Sequence, residues 1–176
     1  MFGLPKASGS YCLIAFLPEA CTIQFGKNTA FFPRGWYAYV GSAMKGLEKR
    51  MARHARQEKK KHWHIDFFLE KARVCALLAM PSPRREECEK SKALEKIGGI
   101  VVAEKFGSTD CRCKTHLYFF AQPPMMMEDF RRALGIPMGS KVAQPTPSWW
   151  MPKGAILRAR PLIWRGLLST EIPHTS

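Results

Sequence analysis

The chain has 176 residues, 46% apolar and 24% charged, enough for one globular domain with an appendage, and this composition excludes wholesale disorder and a fibrous repeat. Lys and Arg number 28 against 14 for Asp and Glu, a net charge of +14, which calls for a polyanionic partner, nucleic acid ahead of an anionic membrane surface. No apolar run approaches the roughly 18 residues of a spanning helix, and the six cysteines lack the spacing of a secreted disulfide scaffold, which points to reduced thiols, a cytoplasmic location and no membrane partner.

Residues 11–17 are continuously apolar with aromatic and β-branched members, the pattern of a strand buried on both faces. Only Lys6 precedes the run as a cation, and Pro18 and Glu19 follow it, so it does not read as a lipoprotein signal ahead of Cys21. Residues 20–32 read as strand broken by a turn at Gly26-Lys27-Asn28, and residues 35–41 as a third strand ending at a glycine. Leu47, Met51 and Ala55, four residues apart, predict a helix over 45–61. Residues 63–72 have no clear period. Residues 74–80 predict a strand closed by Pro81 and Pro83, and residues 84–97 a helix stopped by Gly98-Gly99. Residues 100–103 and 117–121 predict two last strands. The order, hairpin-rich β and then alternating α and β, predicts an α+β domain with a small central antiparallel or mixed sheet flanked by helices.

From residue 122 the composition turns to Pro, Met, Trp and Gly, which divides the chain into a domain over 1–121 and a Pro/Trp-rich basic extension over 122–176. Within the extension, residues 125–134 suit a helix burying Met127, Phe130 and Leu134. Trp149, Trp150 and Trp164 beside Arg158, Arg160 and Arg165 suit stacking on unpaired bases, or docking back on the domain.

The predicted helix over 45–61 holds eight cations, Lys45, Lys49, Arg50, Arg53, Arg56, Lys59, Lys60 and Lys61, and two carboxylates to pair them. So few counter-charges favour phosphate binding over a merely solvated face. Arg50 and His54 are one turn apart with Arg53 beside them. Immediately after come His62, Trp63, His64 and Asp66. In extended backbone both histidines and Asp66 share one face, a candidate proton-transfer or phosphate-contact cluster, while Trp63 suits a core anchor for the helix end. Asp110-Cys111-Arg112-Cys113-Lys114-Thr115-His116 contains a Cys-x-Cys-x-x-His run able to bind Zn²⁺ with His62 or His64. The alternative is a strand end with both thiols on one face and Asp110 capping a turn.

Tyr11 follows Gly9-Ser10, Tyr39 lies within Gly35-Trp36-Tyr37-Ala38-Tyr39-Val40-Gly41-Ser42-Ala43, and Gly46-Leu47-Glu48-Lys49-Arg50 leads to Arg53-His54. With His62-Trp63-His64-Ile65-Asp66, Glu87-Cys88 and residues 106–117, these segments span about residues 9–121. In order and spacing the sequence resembles the GIY-YIG endonuclease superfamily, in particular an archaeal and bacterial branch sometimes fused to endonuclease III-type glycosylases.

The resemblance implies a small three-stranded antiparallel sheet with helices around it, and a Mg²⁺- or Mn²⁺-dependent endonuclease acting on DNA ahead of structured RNA. It matches Tyr11 and Tyr39 to the tyrosines of the two motifs, Arg50 to the helical arginine and Glu87 to the metal-binding glutamate, with Glu86 and Glu89 as neighbouring candidates. In that scheme Tyr11, its phenol lowered by the nearby metal and cations, orients or deprotonates the attacking water, and Arg50 binds equatorial phosphate oxygens. His54 joins Tyr11, Tyr39 and Arg50 as a catalytic candidate. Lys45, Lys49, Arg53, Arg56, Lys60 and His64 are the candidate nucleic-acid contacts. The sequence departs from the family pattern at Ser10, where an aliphatic residue is usual, in a long spacer between the motifs, and in having no Asn after Glu87, since Asn28 is the only one in the chain. Two other functions fit the same residues: a nucleic-acid-binding module without hydrolysis, and a zinc-stabilised interaction domain.

Overall fold

The computed structural model describes residues 7–56, 60–136 and 162–164. β1 (Gly9–Leu17) runs through the middle of the sheet, antiparallel to β4 (Gly35–Ser42) on one side and to β5 (Arg73–Pro81) on the other. β7 (Leu117–Phe120) pairs antiparallel with β4, and β6 (Ile100–Val101) with β7. The short β8 (Leu162–Trp164) adds to the far edge of β5 in parallel. The protein is therefore α+β, with three antiparallel strands at the centre and β7 and β6 widening the sheet beyond the three that the resemblance implied.

The two faces of the sheet carry two cores, which is why β1 is apolar without alternation. Tyr11, Leu13, Ala15 and Leu17 face one core, and Cys12 and Ile14 the other. The first is closed by the hairpin of β2 (Cys21–Phe25) and β3 (Asn28–Phe32), by α1 (Leu47–Ala55), by α2 (His64–Phe68) and by Phe106 of the loop before β7. Its centre is aromatic: Phe25 and Phe106 have ring centroids 4.8 Å apart, and Tyr37 and Phe68 4.7 Å. The second core is closed by α3 (Glu87–Lys96), a 3-10 turn at Pro124–Met126 and α4 (Glu128–Ala133). Met125, Phe130, Leu134 and Ile136 are all buried there, so apolar packing runs past residue 121 to residue 136.

One element is shorter than its periodicity suggested. α1 ends at Ala55 and Arg56 is already extended, so Lys45, Arg56, Lys60 and Lys61 lie outside the helix, which keeps Lys49, Arg50 and Arg53. Its buried face is Leu47, Met51 and His54, a stripe that runs out before the lysine cluster. With no further apolar residue to bury, the helix has nothing to hold a further turn. Among the described residues no helix is long and apolar enough to cross a membrane, and none of the six cysteines is in a disulfide. Lys59, Trp149, Trp150, Arg158, Arg160 and Arg165 lie outside the described residues, and Trp164 is described in its backbone alone.

Candidate functional site

Antiparallel pairing sets Tyr11 opposite Gly41 and Leu13 opposite Tyr39, so both phenols project from one face as diagonal neighbours. Their ring centroids are 6.3 Å apart. A Cβ at position 41 would stand 2.5 Å from the Tyr11 hydroxyl oxygen, so the glycine ending the second motif is what lets the Tyr11 ring lie across β4. Gly107, in the left-handed region at φ +69°, does the same for Tyr39, whose Cε2 would be 2.7 Å from a Cβ there.

α1 reaches the same place from above. His54, on its buried face, sets Nε2 2.8 Å from the Tyr11 hydroxyl. Arg50, one turn earlier, lies with its guanidinium carbon 3.9 Å from the centroid of the Trp63 ring, and Arg53 lies 4.2 Å from the same centroid. Trp63 thus takes the anchoring part expected of it. Burial pushes the Tyr11 phenol well above its ordinary value and Tyr39 adds to this, outweighing the nearby Arg50. Burial raises Tyr39 as well. The cations alone do not lower the Tyr11 phenol: burial outweighs Arg50, because the charged form would sit in the aromatic core.

Arg53 also differs from expectation. Its fork is engaged by Asp66, Nη1 donating to Oδ1 at 2.9 Å and Nη2 to Oδ2 at 2.8 Å, and Nη2 also donates to the Lys60 carbonyl at 2.7 Å. Asp66 Oδ2 accepts in addition the amide N–H groups of His62 and Trp63, capping α2. Burial acts to raise this carboxyl, but the Arg53 hydrogen bonds and the two amides outweigh it and hold it well below the usual carboxylate range. The expected face of His62, His64 and Asp66 does not form, because α2 begins at His64 and helical turning sends Asp66 toward Arg53. His64 accepts the Gly107 N–H at Nδ1, 3.2 Å, and bonds the Lys105 backbone. This ring pins the loop before β7 and also lines the cleft described below, and it does not join the Cys-x-Cys-x-x-His residues.

These elements surround an open cleft of about 350 Å³ whose lining includes Tyr11, Tyr39, Arg50, Arg85, Glu87 and Asp110. Five expected site residues, Tyr11, Tyr39, Arg50, His64 and Glu87, converge on it, while His54 backs Tyr11. Lys45, Lys49, Arg56 and Lys60 are exposed and outside its lining. Arg85 is a further cation of the cleft, one that periodicity alone places inside a predicted helix with no functional part. Its signal was its place two residues before Glu87.

The structure also separates the three glutamates. Glu86 accepts the Ser82 hydroxyl at 2.8 Å, Glu89 is exposed, and Glu87 lines the cleft. Ser10, the departure in the first motif, accepts the Glu86 amide N–H at 3.2 Å from a fully buried position. A hydroxyl there ties β1 to the start of α3, one residue before Glu87. Glu87 Oε2 is buried and has no hydrogen-bond partner among the described residues. An unpartnered buried acceptor is costly, and a divalent cation on Glu87 suits it.

Beside this wall, Cys88, Cys111, Cys113 and His116 form a cluster in which one ligand atom from each residue lies within 4.8 Å of all the others. Cys111 Sγ is 3.5 Å and Cys88 Sγ 3.9 Å from His116 Nε2. Burial, and hydrogen bonds with the other two thiols, push the Cys88 thiol up to about 12, while burial lowers His116. The Cys-x-Cys-x-x-His run is thus joined by Cys88 from α3 rather than by His62 or His64, a partner distant in sequence that no spacing rule points to.

The sequence matches the family described as Domain of unknown function DUF123 over residues 10–136. No curated protein and no solved structure matches the chain.

Proposed function

We propose that this chain, which belongs to the DUF123 family, is a GIY-YIG-type metal-dependent endonuclease that hydrolyses phosphodiester bonds in nucleic acid, with DNA the preferred substrate. The observation that carries the reading is the convergence of Tyr11, Tyr39, Arg50 and Glu87 on one open cleft, in a chain of net charge +14. Hydrolysis needs a positioned water, a sink for charge on the phosphate and help for the leaving oxygen.

Arg50, braced on Trp63, presents its guanidinium to the equatorial oxygens of the phosphate. Tyr11 works as a relay rather than as a free phenolate. Its hydroxyl passes its own proton to His54 Nε2 as it accepts one from the attacking water, so no phenolate persists in the apolar surroundings that raise it. Tyr39 holds the water or a phosphate oxygen from the neighbouring position. Glu87 is the residue that would hold Mg²⁺ or Mn²⁺, and the bound ion would supply Lewis-acid stabilisation of the leaving oxygen. The exposed Lys45, Lys49, Arg56 and Lys60 draw the polyanion toward the cleft at long range.

The test is cleavage of supercoiled plasmid, branched DNA and structured RNA by the purified protein with Mg²⁺, Mn²⁺ or a chelator, beside Arg50→Ala and Glu87→Ala. Metal-dependent cutting lost in both variants supports the reading. Salt-sensitive binding with no cutting in any metal refutes hydrolysis and leaves a binding module.

A further inference from the structure

We propose that Cys88, Cys111, Cys113 and His116 together bind one Zn²⁺ in a tetrahedral Cys₃His site that clamps the first turn of α3 to the loop carrying residues 106–116. The site adjoins the cleft, with His116 in the lining of both.

The geometry is that of a four-ligand zinc site. With Zn–S near 2.3 Å and Zn–N near 2.0–2.1 Å, tetrahedral ligands lie about 3.6 Å apart for sulfur and nitrogen and about 3.8 Å apart for two sulfurs. The sulfur-to-Nε2 distances of 3.5 and 3.9 Å bracket the first value, and all four ligand atoms fit within 4.8 Å. His116 is oriented as a ligand, since its ring hydrogen-bonds the Gly107 backbone while Nε2 faces the thiols. A second ring nitrogen fixed on a backbone group is the usual support of a ligating histidine. The loop is held in shape independently, since Lys105 Nζ donates to the carbonyl oxygens of Cys111 and Cys113 at 3.0 and 3.3 Å.

The donor set selects the metal. Three thiolates and an imidazole suit zinc rather than Mg²⁺ or Ca²⁺, which take oxygen ligands. Zn²⁺ with three thiolates carries a net charge of −1, and Lys92, Lys105, Arg112 and Lys114 are at hand in sequence to offset it. No ligand is left to water, so the site is closed, as structural zinc sites are. Its ligands come from two segments, Cys88 from α3 and the others from a loop with little regular structure. A cross-link between them sets the wall of the cleft that includes Glu87, Asp110 and His116.

The experiment is elemental analysis of the full-length protein after dialysis, followed by Co²⁺ exchange and visible spectroscopy. About one zinc per chain, and a cobalt form with the intense thiolate-to-metal and d–d bands of a tetrahedral site, is expected. Cys88→Ser should lower zinc affinity by more than about 100-fold, beyond the loss of an outer-shell partner, whereas Cys75→Ser, a half-buried thiol outside the cluster, should leave it unchanged. Zinc-free protein that fails to take up Zn²⁺ or Co²⁺ overturns the proposal, as does an octahedral cobalt spectrum. Full zinc binding by Cys88→Ser overturns the assignment of Cys88. The wild-type metal content and cobalt spectrum decide the matter even if a variant fails to fold. Cleavage is not the readout, so a zinc site without nuclease activity, or the reverse, is recognised as such.

Discussion

Asp66→Asn tests how the wall behind Arg50 is held. Asp66 is 1% exposed, and its carboxylate accepts hydrogen bonds from Arg53 at 2.9 and 2.8 Å and from two backbone amides at 2.9 and 3.0 Å. An asparagine keeps one acceptor and turns an amino group toward donors, so either the Arg53 fork or the α2 cap loses its partner. Removing one member of a buried ion pair costs about 3–5 kcal/mol. Arg53 is 23% exposed in its side chain, so water recovers part of this and a loss of about 2–3 kcal/mol is expected. At about 2–4 °C per kcal/mol for a chain of this size, Tm should fall by roughly 5–10 °C.

The effect is also pH-dependent. The folded state holds the Asp66 carboxyl below its unfolded value of about 3.9. Its contribution is therefore fully present above that unfolded value and is lost as pH falls through the lower folded value. Urea unfolding followed by tryptophan fluorescence from pH 7 to pH 2 should show the gap between wild type and Asp66→Asn narrowing in acid. A loss under about 1 kcal/mol at pH 7, or a gap that does not narrow below the unfolded carboxylate range, would refute this account of the ion pair.

Gly41→Ala sets a methyl 2.5 Å from the Tyr11 oxygen and should cost roughly 1–3 kcal/mol, with phosphodiester cleavage falling further than the loss of folded protein explains; urea unfolding and cleavage assays read both. Ser10→Ala removes the acceptor of the Glu86 amide, so stability should fall by about 1–3 kcal/mol and hydrogen exchange at that amide should accelerate. Replacing Lys49, Arg56 and Lys60 together by alanine should weaken duplex DNA binding and reduce the slope of log affinity against log salt by up to about 0.9 per lost phosphate contact, read from binding titrations at several salt concentrations; an unchanged slope would remove these residues from the interface.

Local pattern alone carried most of the element order. The apolar run of β1, the Gly26-Lys27 turn between β2 and β3, the period of α1 and the Gly98-Gly99 stop of α3 are short-range features, and short-range sterics and burial periodicity determine them. Tyr11, Tyr39 and Arg50 became site candidates in another way, through the resemblance of their segments to the GIY-YIG motifs. What depended on contacts across the chain was not legible in this way. The end of α1 at Ala55 reflects where its buried stripe runs out. Arg53 is paired with Asp66, which lies 13 residues away in sequence yet 2.8 Å away in space. Cys88 joined Cys111, Cys113 and His116 because α3 and the loop before β7 pack on neighbouring strands, and Glu87 was separated from Glu86 by hydroxyls from Ser10 and Ser82. The amino-acid order thus specifies which side chains are available and which segments become strand or helix, since those follow from neighbours along the chain. Which of the charged and thiol groups satisfy one another, and which remain directed into the cleft, is a property of the packed fold, because that partition is set by distances and burial that arise only when the elements come together.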